Sequence, residues 1–137
     1  MISQDLQDKL ISLAKLAQEK AYVPYSNFPV GAAVLSDDGD IFTGCNIENV
    51  SYGLVNCGER TAVFKMMSEK GPKAKIKALA VSTQTDMPCT PCGACRQVIQ
   101  EFSTPETVII YKGPHGYTTV SMAELLPGAF TEFTPTH

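Results

Sequence analysis

The sequence has no apolar run near the roughly 20 residues that a membrane-spanning helix needs. Its first segment, Met1 to Lys20, mixes charges with apolar residues at helical spacing, so a secretory signal is not expected there. It also has no basic excess: 11 Lys and Arg against 14 Asp and Glu leave a net charge of −3. Nucleic-acid binders draw much of their affinity from neutralised phosphates, so this balance argues against one and leaves room only for a small local basic patch. There is no internal repeat, low-complexity segment or linker. Tryptophan is absent, but the composition is otherwise that of a globular protein, 44% hydrophobic and 18% charged. At 137 residues the chain is too short for two domains and long enough for one core, which predicts a single domain over 1–137. Histidine is scarce: His115 sits in a Gly-Pro-His-Gly turn and His137 is the last residue, so neither is placed to be a metal ligand.

Cysteine, by contrast, is well represented. Five occur, at Cys45, Cys57, Cys89, Cys92 and Cys95, an odd number with three of them clustered. The expected location is the cytoplasm, and in a reducing compartment clustered cysteines suggest metal or catalysis before disulfides.

Apolar periodicity places the elements around them. Leu6, Leu10, Leu13, Ala14, Ala17 and Ala21 recur at three- and four-residue steps, predicting an amphipathic helix that ends near Tyr22, ahead of Pro24. Val30 to Leu35 and Ile41 to Cys45 read as two strands of a hairpin about the turn Ser36 to Asp40. A helix from Asn56 or Cys57 turns Ala62, Val63, Met66 and Met67 inward and stops before Gly71-Pro72. Strands are expected at 76–82, 108–111 and 117–120, and a helix at 92–102 with Val98, Ile99 and Phe102 as its apolar face. Ser121 and Glu124 fit a capping box for a last short helix. The order α-β-β-α-β-α-β-β-α predicts an α/β fold, a mixed sheet with helices packed on it.

Two segments carry chemistry: Asn56-Cys57-Gly58-Glu59-Arg60 and Pro91-Cys92-Gly93-Ala94-Cys95-Arg96. Both sit at expected helix starts, where free N–H groups and the positive dipole end favour thiolates. Cys92 and Cys95, three residues apart, share a face. With Cys57 they make three protein ligands, the number a catalytic zinc takes when its fourth position is left to water. Glu59 follows closely, and a carboxylate beside such a water can take its proton and pass it on. Three thiolates and Zn²⁺ sum to one net negative charge, which Arg60 and Arg96 could offset by donating to the sulfurs. The bland alternatives are buried apolar cysteines, or a closed structural zinc or iron–sulfur site in which Cys89, Cys92, Cys95 and Cys57 all serve. A metal-stabilised interaction module would follow from the latter.

The signature of zinc deaminases of bases pairs H-x-E, or a cysteine variant of it, with P-C-x-x-C. Cys57-Gly58-Glu59 with Pro91-Cys92-Gly93-Ala94-Cys95 resembles that variant. The likeness extends through Pro24 to Ala33, Gly44 to Asn49 and Glu124 to Phe130, and the chain resembles the small homotetrameric cytidine deaminases. The resemblance implies a three-layer α/β/α sandwich around a mixed five-stranded sheet. It implies hydrolysis of free cytidine and 2′-deoxycytidine in pyrimidine salvage. Cys57, Cys92 and Cys95 would ligate Zn²⁺ and Glu59 would shuttle the proton. Phe28 would pack on the pyrimidine, and Asn46 and Glu48 would grip the ribose, chiefly its 3′-hydroxyl. Arg60 would bond the thiolates, and Tyr52 and Phe130 would serve a neighbouring subunit's site in a homotetramer. Gly58 departs from the family's usual alanine at a backbone position expected to face the substrate's amine. Glycine's freedom there suggests some tolerance of N4-substituted cytidines.

Overall fold

The computed structural model describes residues 2–133, and His137 lies outside them. Helix α1 (Gln4–Gln18) opens on Ser3, whose hydroxyl accepts from the Leu6 N–H, with Asp5 in its first turn and Lys15 in its last. Both charges suit the helix dipole. The helix stops earlier than the apolar spacing suggests. The N–H groups of Lys20 and Ala21 tighten onto the carbonyls of Ala17 and Gln18, and Tyr22 donates to Asn46 O at 3.0 Å, pairing with Ile47. Tyr22 is therefore claimed by an extended partner.

Strands β1 (Val30–Ser36) and β2 (Ile41–Cys45) form the expected hairpin, with Gly39 at φ +97° supplying the turn. Helix α2 (Gly58–Lys70), strand β3 (Ile76–Thr83), helix α3 (Gly93–Glu101), strands β4 (Ser103–Gly113) and β5 (Gly116–Ser121) and helix α4 (Met122–Leu125) follow in the predicted order. The Ser121–Glu124 capping box forms in both directions, at 3.2 and 3.1 Å. Two features differ from expectation. A 3₁₀ turn occupies Tyr52–Leu54 in what reads as a polar loop. Strand β4 also reaches back to Ser103, where the register with β3 shifts between Ile76 and Ala78. Its polar start, Ser103 to Thr107, lacks the alternation that marks a strand.

The sheet runs β2-β1-β3-β4-β5; among its neighbouring strands in the described residues β3–β4 pairs parallel and the other three pairs are antiparallel. Alternation along β1 sends Ala32 and Val34 to one face and Ala33 and Leu35 to the other. The first face packs with Ala62, Val63 and Met66 of α2, Cys95 and Ile99 of α3, and Met122 and Leu125 of α4. The second packs with Leu10 and Ala14 of α1. This is the three-layer α/β/α arrangement. Two glycines allow the layers to close. A Cβ on Gly31 would lie 1.9 Å from Ala14 O, and one on Gly44 would lie 2.4 Å from Ala62 N.

Strands β2 and β3 both run antiparallel to β1, so they run parallel to each other and to β4. Helices α2 and α3 are thus crossovers between parallel strands. Each starts beyond the carboxyl end of the strand before it, and the two starts meet at that end of the sheet. Among the described residues no helix is long and apolar enough to cross a membrane.

Candidate active site

Cys57 is the N-cap of α2 and Cys92 the N-cap of α3, both with extended backbone, and Cys95 lies in the first turn of α3. Each cap carbonyl accepts the opening helical bond, from Thr61 N at 3.0 Å and Arg96 N at 2.9 Å. The Cys95 N–H donates to the Cys92 sulfur at 3.5 Å. All three sulfurs lie within 4.8 Å of one another, and those of Cys57 and Cys92 are 3.8 Å apart. A tetrahedral zinc with bonds of about 2.3 Å sets its sulfurs about 3.8 Å apart. Both the soft donor set and the spacing fit that ion. Cys45 and Cys89 are outside this cluster. Cys89 pairs through its backbone with Lys112, its N–H 3.1 Å from that carbonyl. The closed four-cysteine arrangement is therefore not formed among the described residues.

The cluster is built to hold negative charge. Arg60 Nη2 donates to the Cys57 sulfur at 3.2 Å. The Cys95 thiol and then Arg60 hold Cys57 well below the usual thiol range, while Cys95, beside that sulfur and buried, is held well above it. The Cys57 sulfur in turn holds the Arg60 guanidinium more firmly protonated than usual. Glu59 is 5% exposed, and burial, with the Cys57 charge adding, pushes its carboxyl up to about 7. A carboxyl poised there can accept and donate a proton near neutral pH.

Asn46 and Glu48 alternate along the extended segment after β2 and both turn to the segment Tyr25 to Val30. Asn46 accepts from Val30 N at 2.8 Å and donates to Phe28 O at 2.9 Å. Glu48 accepts from the N–H groups of Tyr25 and Ser26 at 3.0 and 3.1 Å and from the Ser26 hydroxyl. Tyr25, Ser26, Glu48, Tyr52 and Val55 line an open cavity of about 290 Å³. A larger hollow of about 460 Å³, between the start of β4 and the tail after α4, contains none of the cysteines. Tyr52 stands edge-on to Tyr25, ring centres 5.8 Å apart, and is 73% exposed. Phe130, 65% exposed, is carried on a tail whose carbonyl accepts from Gln97 at 2.9 Å.

Two expectations are corrected. Arg96 spends its guanidinium on Pro91 O at 2.8 Å, Leu125 O at 2.7 Å and Thr90 Oγ1 at 3.0 Å. It braces the loop before α3 against the end of α4 and does not donate to the sulfurs. Gly58 lies in ordinary helix, outside the left-handed region, so glycine's freedom is unused. A Cβ there would meet Val30 O at 3.2 Å and Asn46 N at 3.5 Å, so its direction is toward the strand ends. Ser26 was missed: it lies inside a segment the resemblance covers, but a contact spanning 22 residues to Glu48 leaves no periodic signal.

Residues 4–111 match the family model for the cytidine and deoxycytidylate deaminase zinc-binding region. The chain is 56% identical over 128 residues to a cytidine deaminase of Sporosarcina psychrophila, covering 91% of each. It is 50% identical over 123 residues to a cytidine deaminase of Halalkalibacterium halodurans, covering 89% of this chain and 92% of that one. The crystal structure of cytidine deaminase from Burkholderia pseudomallei superposes with a TM-score of 0.84 at 45% identity, over 94% of this chain and all of that one.

Proposed function

From the premise that this chain belongs to the cytidine deaminase family and is a hydrolase of that kind, we propose that it converts free cytidine and 2′-deoxycytidine, with water, to uridine and 2′-deoxyuridine plus ammonia. The observation that carries the reading is the triangle of sulfurs at two helix starts with the buried Glu59 beside it. Cys57, Cys92 and Cys95 would hold Zn²⁺, which when bound supplies the Lewis acidity that makes water a nucleophile near neutral pH.

In this reading Glu59 accepts the proton of the attacking water and delivers it to N3 of the base, which makes C4 more electrophilic. The water oxygen bonds to C4, the ring carbon becomes tetrahedral, and Glu59 carries a second proton to the exocyclic amine. The C4–N bond breaks and ammonia leaves. Phe28 packs against the pyrimidine, and Asn46 and Glu48 hold the ribose through its 3′-hydroxyl. Arg60 offsets the thiolate charge. The exposed aromatics Tyr52 and Phe130 support a homotetramer in which they reach a neighbour's site. Five free thiols suit a cytoplasmic enzyme, and the products suit pyrimidine salvage.

The test mixes zinc-loaded protein with cytidine and follows ultraviolet absorbance together with ammonia release. Equal amounts of uridine and ammonia are expected. No turnover with zinc bound would overturn the reading and favour a metal-stabilised binding module or another amine substrate.

A further inference from the structure

The Ser26 hydroxyl bridges two residues assigned different parts of the substrate, the Glu48 carboxylate and the Phe28 backbone. It donates to Glu48 Oε2 and accepts from the Phe28 N–H at 3.0 Å. The second bond closes a hydroxyl-backbone turn across Asn27, whose φ of 55° is the left-handed conformation that asparagine tolerates best after glycine. Phe28 is thereby held at both ends of its backbone unit, its N–H by Ser26 and its carbonyl by Asn46 at 2.9 Å.

Glu48 is similarly committed. A carboxylate offers about four lone-pair sites. The N–H groups of Tyr25 and Ser26 both bind Oε1, and the Ser26 hydroxyl binds Oε2. One site remains, on Oε2, and its direction is set by where Ser26 pins the carboxylate. These donors, the Ser26 hydroxyl first, also hold Glu48 below the usual carboxylate range, so that it is ready to accept.

We infer that Ser26 is a positioning residue: from within the turn that presents Phe28, its hydroxyl aims the last free lone pair of Glu48 at a single sugar hydroxyl. The inference rests on the reading of Glu48 as the sugar ligand, and the two can be tested apart. A structural role for Ser26 would lower activity on every substrate alike. A positioning role through Glu48 changes the preference for a substrate that carries the 3′-hydroxyl over one that lacks it.

The experiment measures kcat/KM on 2′-deoxycytidine and on 2′,3′-dideoxycytidine, which differ only in the 3′-hydroxyl, for wild type, Ser26→Ala, Ser26→Thr and Glu48→Gln. Because any effect through Phe28 is common to both substrates, it cancels in their ratio. The ratio is expected to fall about fivefold in Ser26→Ala, through a higher KM for 2′-deoxycytidine, as befits the loss of a charge-assisted bond at an exposed site. Ser26→Thr, which keeps the hydroxyl, should restore it, and Glu48→Gln should lower it as well. An unchanged ratio in Ser26→Ala beside a lowered one in Glu48→Gln would overturn the inference and leave the sugar reading standing. An unchanged ratio in Glu48→Gln would overturn both.

Discussion

Arg60 lies three residues after Cys57, one turn into α2, and its Nη2 sits 3.2 Å from the Cys57 sulfur. Three thiolates exceed the charge of a divalent zinc, and this guanidinium supplies positive charge directly at the Cys57 sulfur. Arg60→Gln should therefore raise the pKa of that thiol in metal-free protein, which a titration of thiolate absorbance would follow. With zinc restored, activity should fall on the order of 10- to 100-fold, the usual cost of losing a partner behind a metal ligand. An unshifted thiol titration would mean that Arg60 only packs.

Glu59 is buried against the cluster but does not belong to it. Glu59→Gln should accordingly keep zinc stoichiometry near wild type, by metal analysis, while the rate on cytidine falls at least about 100-fold. Loss of zinc along with activity would make the carboxylate a ligand in place of a proton carrier.

How much of this was legible beforehand depended on range. The α1 stripe from Leu6 to Ala17, the hairpin and the capping box at Ser121 are local patterns of hydrophobic spacing and turn chemistry, and they formed as read. The three cysteines were legible because P-C-x-x-C and a second helix start are local too, even though a 35-residue gap separates Cys57 from Cys92. Arg96 was misread because adjacency in sequence does not say which way a long side chain turns. Three carbonyl or hydroxyl oxygens lay nearer to hand. The Ser26–Glu48 contact, the early end of α1 at the Tyr22–Ile47 pairing and the start of β4 all depend on tertiary partners that periodicity does not encode.

The position of Gly58 gives a sharp expectation. An added Cβ would press on Val30 O and touch Asn46 N, which are hydrogen-bonded to each other at 3.1 Å. Alanine gains helix propensity and loses a few tenths of an ångström of clearance, so Gly58→Ala should change stability by less than about 1 kcal/mol in either direction. The ratio of rates on N4-methylcytidine and cytidine should stay within about twofold of wild type, since the methyl group enters the strand ends. A ratio that collapses in the variant would show that the missing side chain widens the amine pocket after all.

Lys70, in the last turn of α2, ties that helix to the hairpin turn, pairing with Asp38 and with Asp40 at 2.6 Å. Its charge also suits the carbonyl end of the helix dipole. The Lys70 ammonium, and after it the Ser36 hydroxyl, hold the Asp38 carboxyl below its ordinary 3.8. A carboxyl lowered on folding stabilises the native state fully above its unfolded value, and that contribution disappears as pH falls through the folded value. Lys70→Gln should thus lower the thermal midpoint at pH 6–7, by roughly two degrees because the pair is solvent-exposed. The wild-type and variant midpoints should converge well below pH 3.8, where Asp38 is protonated in both. Salt should shrink the gap at neutral pH. A difference that persisted unchanged into acid would assign the effect of Lys70 to packing of its alkyl chain along the turn instead of to the ion pair.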